Sequence, residues 1–357
     1  MFLGCDVRFP EADSKLHELA VKQAPEKSSS NLREDLDRAI QLALDGRLLS
    51  STRNAAWQIM HGVLCFGSQL PLETPDRGVV SATQFALSGG SFEGWELSLG
   101  DHLPTVGKHG IKARLEPGSF IGQGHVDQWI AIFAMANMPI ETPVTVAGNS
   151  LTLAEWARQA QRDVCSNPLR EYSWTLITLT SYFPNEPSWQ TADGQTWTWE
   201  RMVEQEVTYD LTLSPCGGTH RLMGLVLAIQ AHQRLGLPIS PTWNRAQEIV
   251  EQSVSTIRSM QNSDGSLSSH YLVRPGASSD LGATLGSTGH LLEVLSAKLS
   301  AEELSQPWVE RAAARVCEII LVTSSVDVDC GALYHAVRGL KLYREKRFGS
   351  PLPAVSN

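Results

Sequence analysis

From about residue 33 onward, apolar positions recur with a helical period rather than a strand period. Between Glu34 and Leu48, Leu36, Ile40, Leu42, Ala43 and Leu48 fall on one side of a helix and Asp35, Arg38 and Asp45 on the other. That is the pattern of a helix packing by one face. The next stretch differs: Ala55-Ala56-Trp57-Gln58-Ile59-Met60-His61-Gly62-Val63-Leu64-Cys65-Phe66 carries almost no charge on any face, and a helix apolar all round is a buried one. The two kinds alternate down the chain. Buried-type helices are predicted over His125–Met138, Tyr172–Tyr182, Thr219–Leu235, Thr288–Leu299 and Ala332–Tyr343. Amphipathic partners are predicted over Leu151–Val164, Thr198–Leu211, Pro241–Met260 and Gln306–Val322. Proline and glycine clusters separate them. Residues 68–122 resist the pattern: Pro71, Pro75, Gly89, Gly90, Gly100, Pro104, Gly107, Gly110 and Pro117 predict irregular structure with short strands around Ile111–Leu115. Outside the helical domain at 33–345, residues 1–32 read as a flexible arm and 346–357 as a tail.

The buried helices share an entry signal. Glycine shortly precedes histidine in Gly122-Gln123-Gly124-His125, Gly217-Gly218-Thr219-His220, Gly286-Ser287-Thr288-Gly289-His290 and Gly331-Ala332-Leu333-Tyr334-His335. His61 lies mid-helix, and the helix after Glu171 presents Trp174 instead. Apart from two longer intervals, these markers recur at roughly 45 residues, the period of a helical-hairpin array. Six inner helices with no capping repeat predict closure into a ring rather than an open solenoid.

This organisation resembles the α/α toroid of terpenoid cyclases, protein prenyltransferase β-subunits and several carbohydrate-active enzymes. Gln261-Asn262-Ser263-Asp264-Gly265-Ser266 is similar to the Q-x-x-D-G-S/G turn of squalene–hopene cyclases and prenyltransferases, with Leu267 where Trp is usual. Asp327-Val328-Asp329-Cys330-Gly331-Ala332 resembles the D-x-D-D-T-A acid motif of class II terpene cyclases, with Cys330 in place of the final Asp. Tyr334-His335 is similar to the Tyr-His that supplies a zinc ligand in prenyltransferases. The resemblance implies an all-α, (α/α)6-like toroid of six inner and five to six outer helices, with the 68–122 region as an insertion.

In such a ring His125, His220, His290 and His335 would converge at one mouth, where helix N-termini direct N–H groups at an anionic group. They are the candidate acid–base residues, together with Asp127 and Asp329. Asp127 also reads as a first-turn acid complementing the helix dipole. Asp329 reads better as a helix cap, since capping favours its ionised form and a cyclase acid must be protonated. Trp57, His61, Trp129, Trp174 and Tyr334 are the candidates for lining a cavity and binding substrate. Cys216 and His220 are four apart and can share a helix face, a half-site for zinc that His290 or His335 would extend. The competing reading is a satisfied core imidazole for each histidine and a small apolar residue for Cys216.

Composition narrows the field. The chain has 357 residues, 42% apolar, and 29 Lys plus Arg against 38 Asp plus Glu, a formal net charge of −9. It therefore lacks the basic footprint of a nucleic-acid binder. Leu222–Ile229 is typical of the longest apolar runs, too short to span a membrane. Six scattered cysteines without a C-x-x-C pair point to a reduced, cytoplasmic setting. Met1-Phe2-Leu3-Gly4-Cys5-Asp6 is loosely similar to the cleavage end of a lipoprotein signal, so export or lipid anchoring follows if the true start lies upstream. Phosphate-binding, dinucleotide, zincin and hydrolase-elbow motifs are absent. An enzyme acting on a hydrophobic isoprenoid is the favoured reading. The alternatives are a carbohydrate-active lyase, epimerase or hydrolase, and a toroid that binds a small-molecule or polymeric partner without catalysis.

Overall fold

Thirteen α-helices and nine short strands form among the described residues, which in this computed structural model are 32–168 and 171–349. Residues 1–31 of the arm and 350–357 of the tail lie outside them. The first helices are α1 (Leu32–Asp45), α2 (Ala56–Phe66), α3 (Ala82–Leu87), α4 (Gln128–Met135), α5 (Leu153–Asp163), α6 (Ser173–Tyr182) and α7 (Trp199–Thr208). After them come α8 (Thr219–Arg234), α9 (Pro241–Ser259), α10 (Leu281–Lys298), α11 (Ala301–Leu304), α12 (Pro307–Val322) and α13 (Cys330–Phe348). The protein is thus mostly helical, but not all-α. Small sheets are built from β1 (Leu49–Ser50), β2 (Pro71–Thr74), β3 (Gly78–Ser81), β4 (Leu97–Leu103), β5 (Lys108–Ala113), β6 (Pro143–Val146), β7 (Asn149–Thr152), β8 (Ser188–Gln190) and β9 (Thr196–Thr198).

The described chain forms two compact units, one from residues 32–47, 211–219 and 251–349, the other from Leu48–Asp210 and His220–Val250. In the first, α10 and α13 form the apolar centre, with α1 and α12 packed alongside. Asp280 caps α10, accepting from Gly282 N at 2.8 Å, and Asp329 caps α13, accepting from Ala332 N at 2.8 Å. Each cap satisfies amides that the helix cannot. The two helices approach closely because glycine faces the contact: a Cβ on Gly289 would lie 2.5 Å from Ala336 Cβ, and one on Gly339 2.9 Å from Glu293 N. The turn at Gln261–Ser266 is a clasp onto α12. Gln261 Nε2 donates to Trp308 O at 2.7 Å, Arg315 Nε lies 3.3 Å from Asp264 Oδ2, and Gly265, at φ +88°, leaves room for Arg311 O. This turn therefore fastens the residues before α10 to α12.

In the second unit α2 packs on α4 and α4 on α6, so three buried helices follow one another as neighbours, with α5 against α6. A recurring device links strands to helices. β3 ends at Ser81, β7 at Thr152 and β9 at Thr198, and each of these side chains caps the helix that follows. A hairpin thereby leads directly into each of α3, α5 and α7. At Thr152 the cap is reciprocal, Glu155 Oε2 accepting from Thr152 N at 2.6 Å.

Three expectations need correction. Residues 68–122 hold β2–β5 and α3, more regular structure than expected, and β5 overlaps the strand expected around Ile111–Leu115. Helix α4 starts at Gln128, so His125 precedes it, and Asp127 is its N-cap residue in a left-handed conformation, φ 58°, with no capping bond from its side chain. Helix α10 starts at Leu281 instead of Thr288, which puts His290 mid-helix rather than in the first turns. The small-residue run before His290 reads as loop, but it is held helical by the Asp280 cap and by close packing on α13.

Candidate functional site

In the first unit, a polar cluster lies within the otherwise apolar contact of α10 and α13. Glu293 is the one acid of α10, and its residue is 4% exposed. Its Oε2 accepts from His335 Nδ1 at 2.7 Å and its Oε1 from Arg338 Nη1. Burial alone would raise the Glu293 carboxyl, but the charges of His335 and Arg338 outweigh it and hold the group down at about 2. An ionised Glu293 keeps a proton on Nδ1 of His335 whether the ring is charged or neutral, so in the neutral ring Nε2 presents the lone pair. The His290 ring stacks on that of His335 at a centroid distance of 4.0 Å. Its Nδ1 donates to Gly286 O at 2.7 Å, so its lone pair also sits on Nε2.

Cys216 enters this unit from the turn before α8. Cys216, Gly217 and Gly218 are three successive left-handed residues, with φ of 49°, 60° and 80°. Tyr271, itself at φ 55°, packs so closely that a Cβ on Gly217 would lie 2.2 Å from its ring. Such backbone is costly for Cys and Tyr and persists only where surrounding packing imposes it. The result brings Cys216 Sγ within 4.8 Å of a ring nitrogen of His290. Asp329, the α13 cap, has its carboxyl displaced upward by burial against the opposing cap bond, and burial pushes the Cys330 thiol up to about 12. Tyr334 is fully buried.

The second unit holds a cluster of one indole and two imidazoles. The Trp174 ring lies 4.9 Å from that of His220 and 6.3 Å from that of His125, and the two imidazoles are 6.2 Å apart. His125 Nδ1 is 3.2 Å from Glu171 Oε2. Glu206 anchors the neighbours of this trio. It accepts from Ser173 Oγ at 3.1 Å and from Arg221 Nε at 2.7 Å, so the residues before Trp174 and after His220 share one buried acid. Asp127 accepts from Thr175 Oγ1 at 2.5 Å, and Thr175 in turn accepts from Asn167 Nδ2 at 2.9 Å. Burial pushes the Asp127 carboxyl up to about 6 against that hydrogen bond.

The remaining candidates fall elsewhere in the second unit. Trp57 and His61 pair within α2 at 4.3 Å, with His61 Nδ1 donating to Trp57 O, and the exposed Phe120 ring lies edge-on to Trp57 at 5.0 Å. Trp129 is 1% exposed and joins Trp95, Phe133 and Trp156 in an aromatic core. Sequence reasoning missed Glu293, Arg338, Tyr271, Glu171 and Thr175. Glu293 had a visible signal, a lone acid in a helix apolar all round, which demands a partner. No family model matches the chain, and a search of the curated proteins finds no match.

Proposed function

We propose that the protein is an enzyme of the α/α-toroid type, resembling terpenoid cyclases and prenyltransferase β-subunits, that acts on a hydrophobic substrate. Successive packing of buried helices, α2–α4–α6 in one unit and α10–α13 in the other, supports the toroid reading. The observation that carries the chemistry is the buried His335–Glu293–Arg338 triad. Hydrophobic side chains would fill that contact at less cost than a charged trio, which must be fully paired to be tolerated. Glu293 orients His335 and stabilises the imidazolium that forms when Nε2 takes a proton, while Arg338 keeps Glu293 ionised. In this reading Asp329 serves as the cap of α13, and His335 is the proton-transfer group.

Carbohydrate chemistry is the second reading, favoured by one arrangement. The Trp174 ring is flanked by His220 and His125, with Glu171 on the latter, so a stacking platform sits beside two acid–base groups. The test is product detection by mass spectrometry after incubation with allylic and polyene isoprenoids, and separately with neutral and uronate oligosaccharides. The expected result is isoprenoid consumption that falls at least 100-fold in His335→Gln while circular dichroism is unchanged. Consumption of sugars alone overturns it in favour of the second reading. Ligand binding without any turnover makes the protein a binding toroid.

A further inference from the structure

The geometry points to a zinc site built on Cys216 and His290. It is independent of the Tyr334-His335 dipeptide through which the resemblance implies zinc. Three observations converge. The Cys216 sulfur and a His290 ring nitrogen already lie within 4.8 Å of each other. With zinc bonds of about 2.3 Å to sulfur and about 2.0 Å to nitrogen, tetrahedral ligands sit roughly 3.5 Å apart, so a side-chain adjustment of about 1 Å closes the pair on an ion. His290 Nδ1 is committed to Gly286 O, which places the lone pair on Nε2, the arrangement typical of a metal-ligating histidine. The Cys216 backbone is held left-handed between Pro215 and Gly217, locked by Tyr271 and by Thr219 Oγ1 donating to Cys216 O at 2.9 Å. This holds the sulfur on a rigid turn.

The donor set selects the ion. A thiolate with imidazole suits zinc, whereas calcium and magnesium require oxygen ligands. Cys216 is left-handed and precedes α8, so the Cys-x-x-x-His spacing does not set it on a helix face with His220, and the site rests on Cys216 and His290. Cys216 and His290 fill two of the four tetrahedral positions of the ion and leave the others to further donors or water.

The full chain, stripped of metal with a chelator and dialysed, is titrated with cobalt(II) and then with zinc. One equivalent of cobalt should bring up the intense visible bands of a tetrahedral ion and a near-ultraviolet thiolate-to-cobalt charge-transfer band, both bleached by zinc. Cys216→Ser should abolish the charge-transfer band, and His290→Gln should weaken zinc affinity at least 10-fold. Zinc should also protect Cys216 of the unaltered protein from alkylation, mapped by peptide mass spectrometry, a readout that survives if a variant fails to fold. Wild-type protein that gives no charge-transfer band, or the same band in folded Cys216→Ser, overturns the site. Rapid Cys216 alkylation unaffected by zinc overturns it too, and makes Cys216 a reactive thiol beside His290. No substrate is needed, so the result is separable from the test of turnover.

Discussion

Asp127 shows how one misplaced-looking residue shapes the energetics of its surroundings. A first-turn acid is expected to cap or complement its helix, yet Asp127 turns to Thr175 and leaves α4 to other acceptors: Gln123 Oε1 takes the Trp129 N–H at 3.0 Å. Its folded pKa of about 6 is above the ordinary carboxylate value, so the folded state binds its proton more tightly than the unfolded chain does. The sign follows from linkage. This contribution to stability is complete below pH of about 4, declines as pH rises towards about 6, and is flat above that. The side chain is only half-buried, so the difference is discounted to about 1–2 kcal/mol. Asp127→Asn, which keeps an acceptor for Thr175, is expected to stabilise the protein by that amount at pH 7 and leave it nearly unchanged at pH 4. Urea midpoints of both proteins between pH 4 and pH 7 measure it, and parallel profiles would show that Asp127 is ionised without penalty.

At the scale of elements, the closeness of α10 to α13 decides where their polar groups meet. Gly289→Ala should cost about 1–3 kcal/mol, because its methyl would fall 2.5 Å from Ala336 Cβ and force the helices apart. Gly286→Ala is the control: its methyl would meet Ala332 Cβ at 3.5 Å, ordinary contact, and the helix gains about 0.5–1 kcal/mol from removing glycine. Thermal denaturation should move in opposite directions for the two. Equal shifts would mean that helix propensity, not interhelical spacing, sets the response.

For the molecule as a whole, charge is the property that acts at a distance. A formal net charge of −9 should hold the protein on an anion exchanger at pH 7 and prevent it from retarding duplex DNA at about 150 mM salt. An electrophoretic mobility assay checks this, and a salt-sensitive DNA shift would reveal a basic patch hidden in the average. No helix among the described residues is long and apolar enough to cross a membrane, in line with the short apolar runs of the chain.

The features legible from the chain alone are local. The alternation of buried and one-faced helices, most of their ends, and the preference of Asp329 for a cap all follow from groups within a few residues of one another. Those interactions form wherever the segment folds. The hairpins that precede α3, α5 and α7 were illegible because strands of three or four residues leave too few alternations to register, although Ser81, Thr152 and Thr198 carried a capping signal. Which polar groups meet was settled only by long-range packing. His335 meets Glu293 across 42 positions of chain, and Arg338 meets it across 45. Trp174 finds His220 only because α6 and the start of α8 share Glu206. Such partners are chosen by which helix faces pack, and here glycine at Gly289 and Gly339 lets two backbones come close enough for a buried acid to reach both a histidine and an arginine.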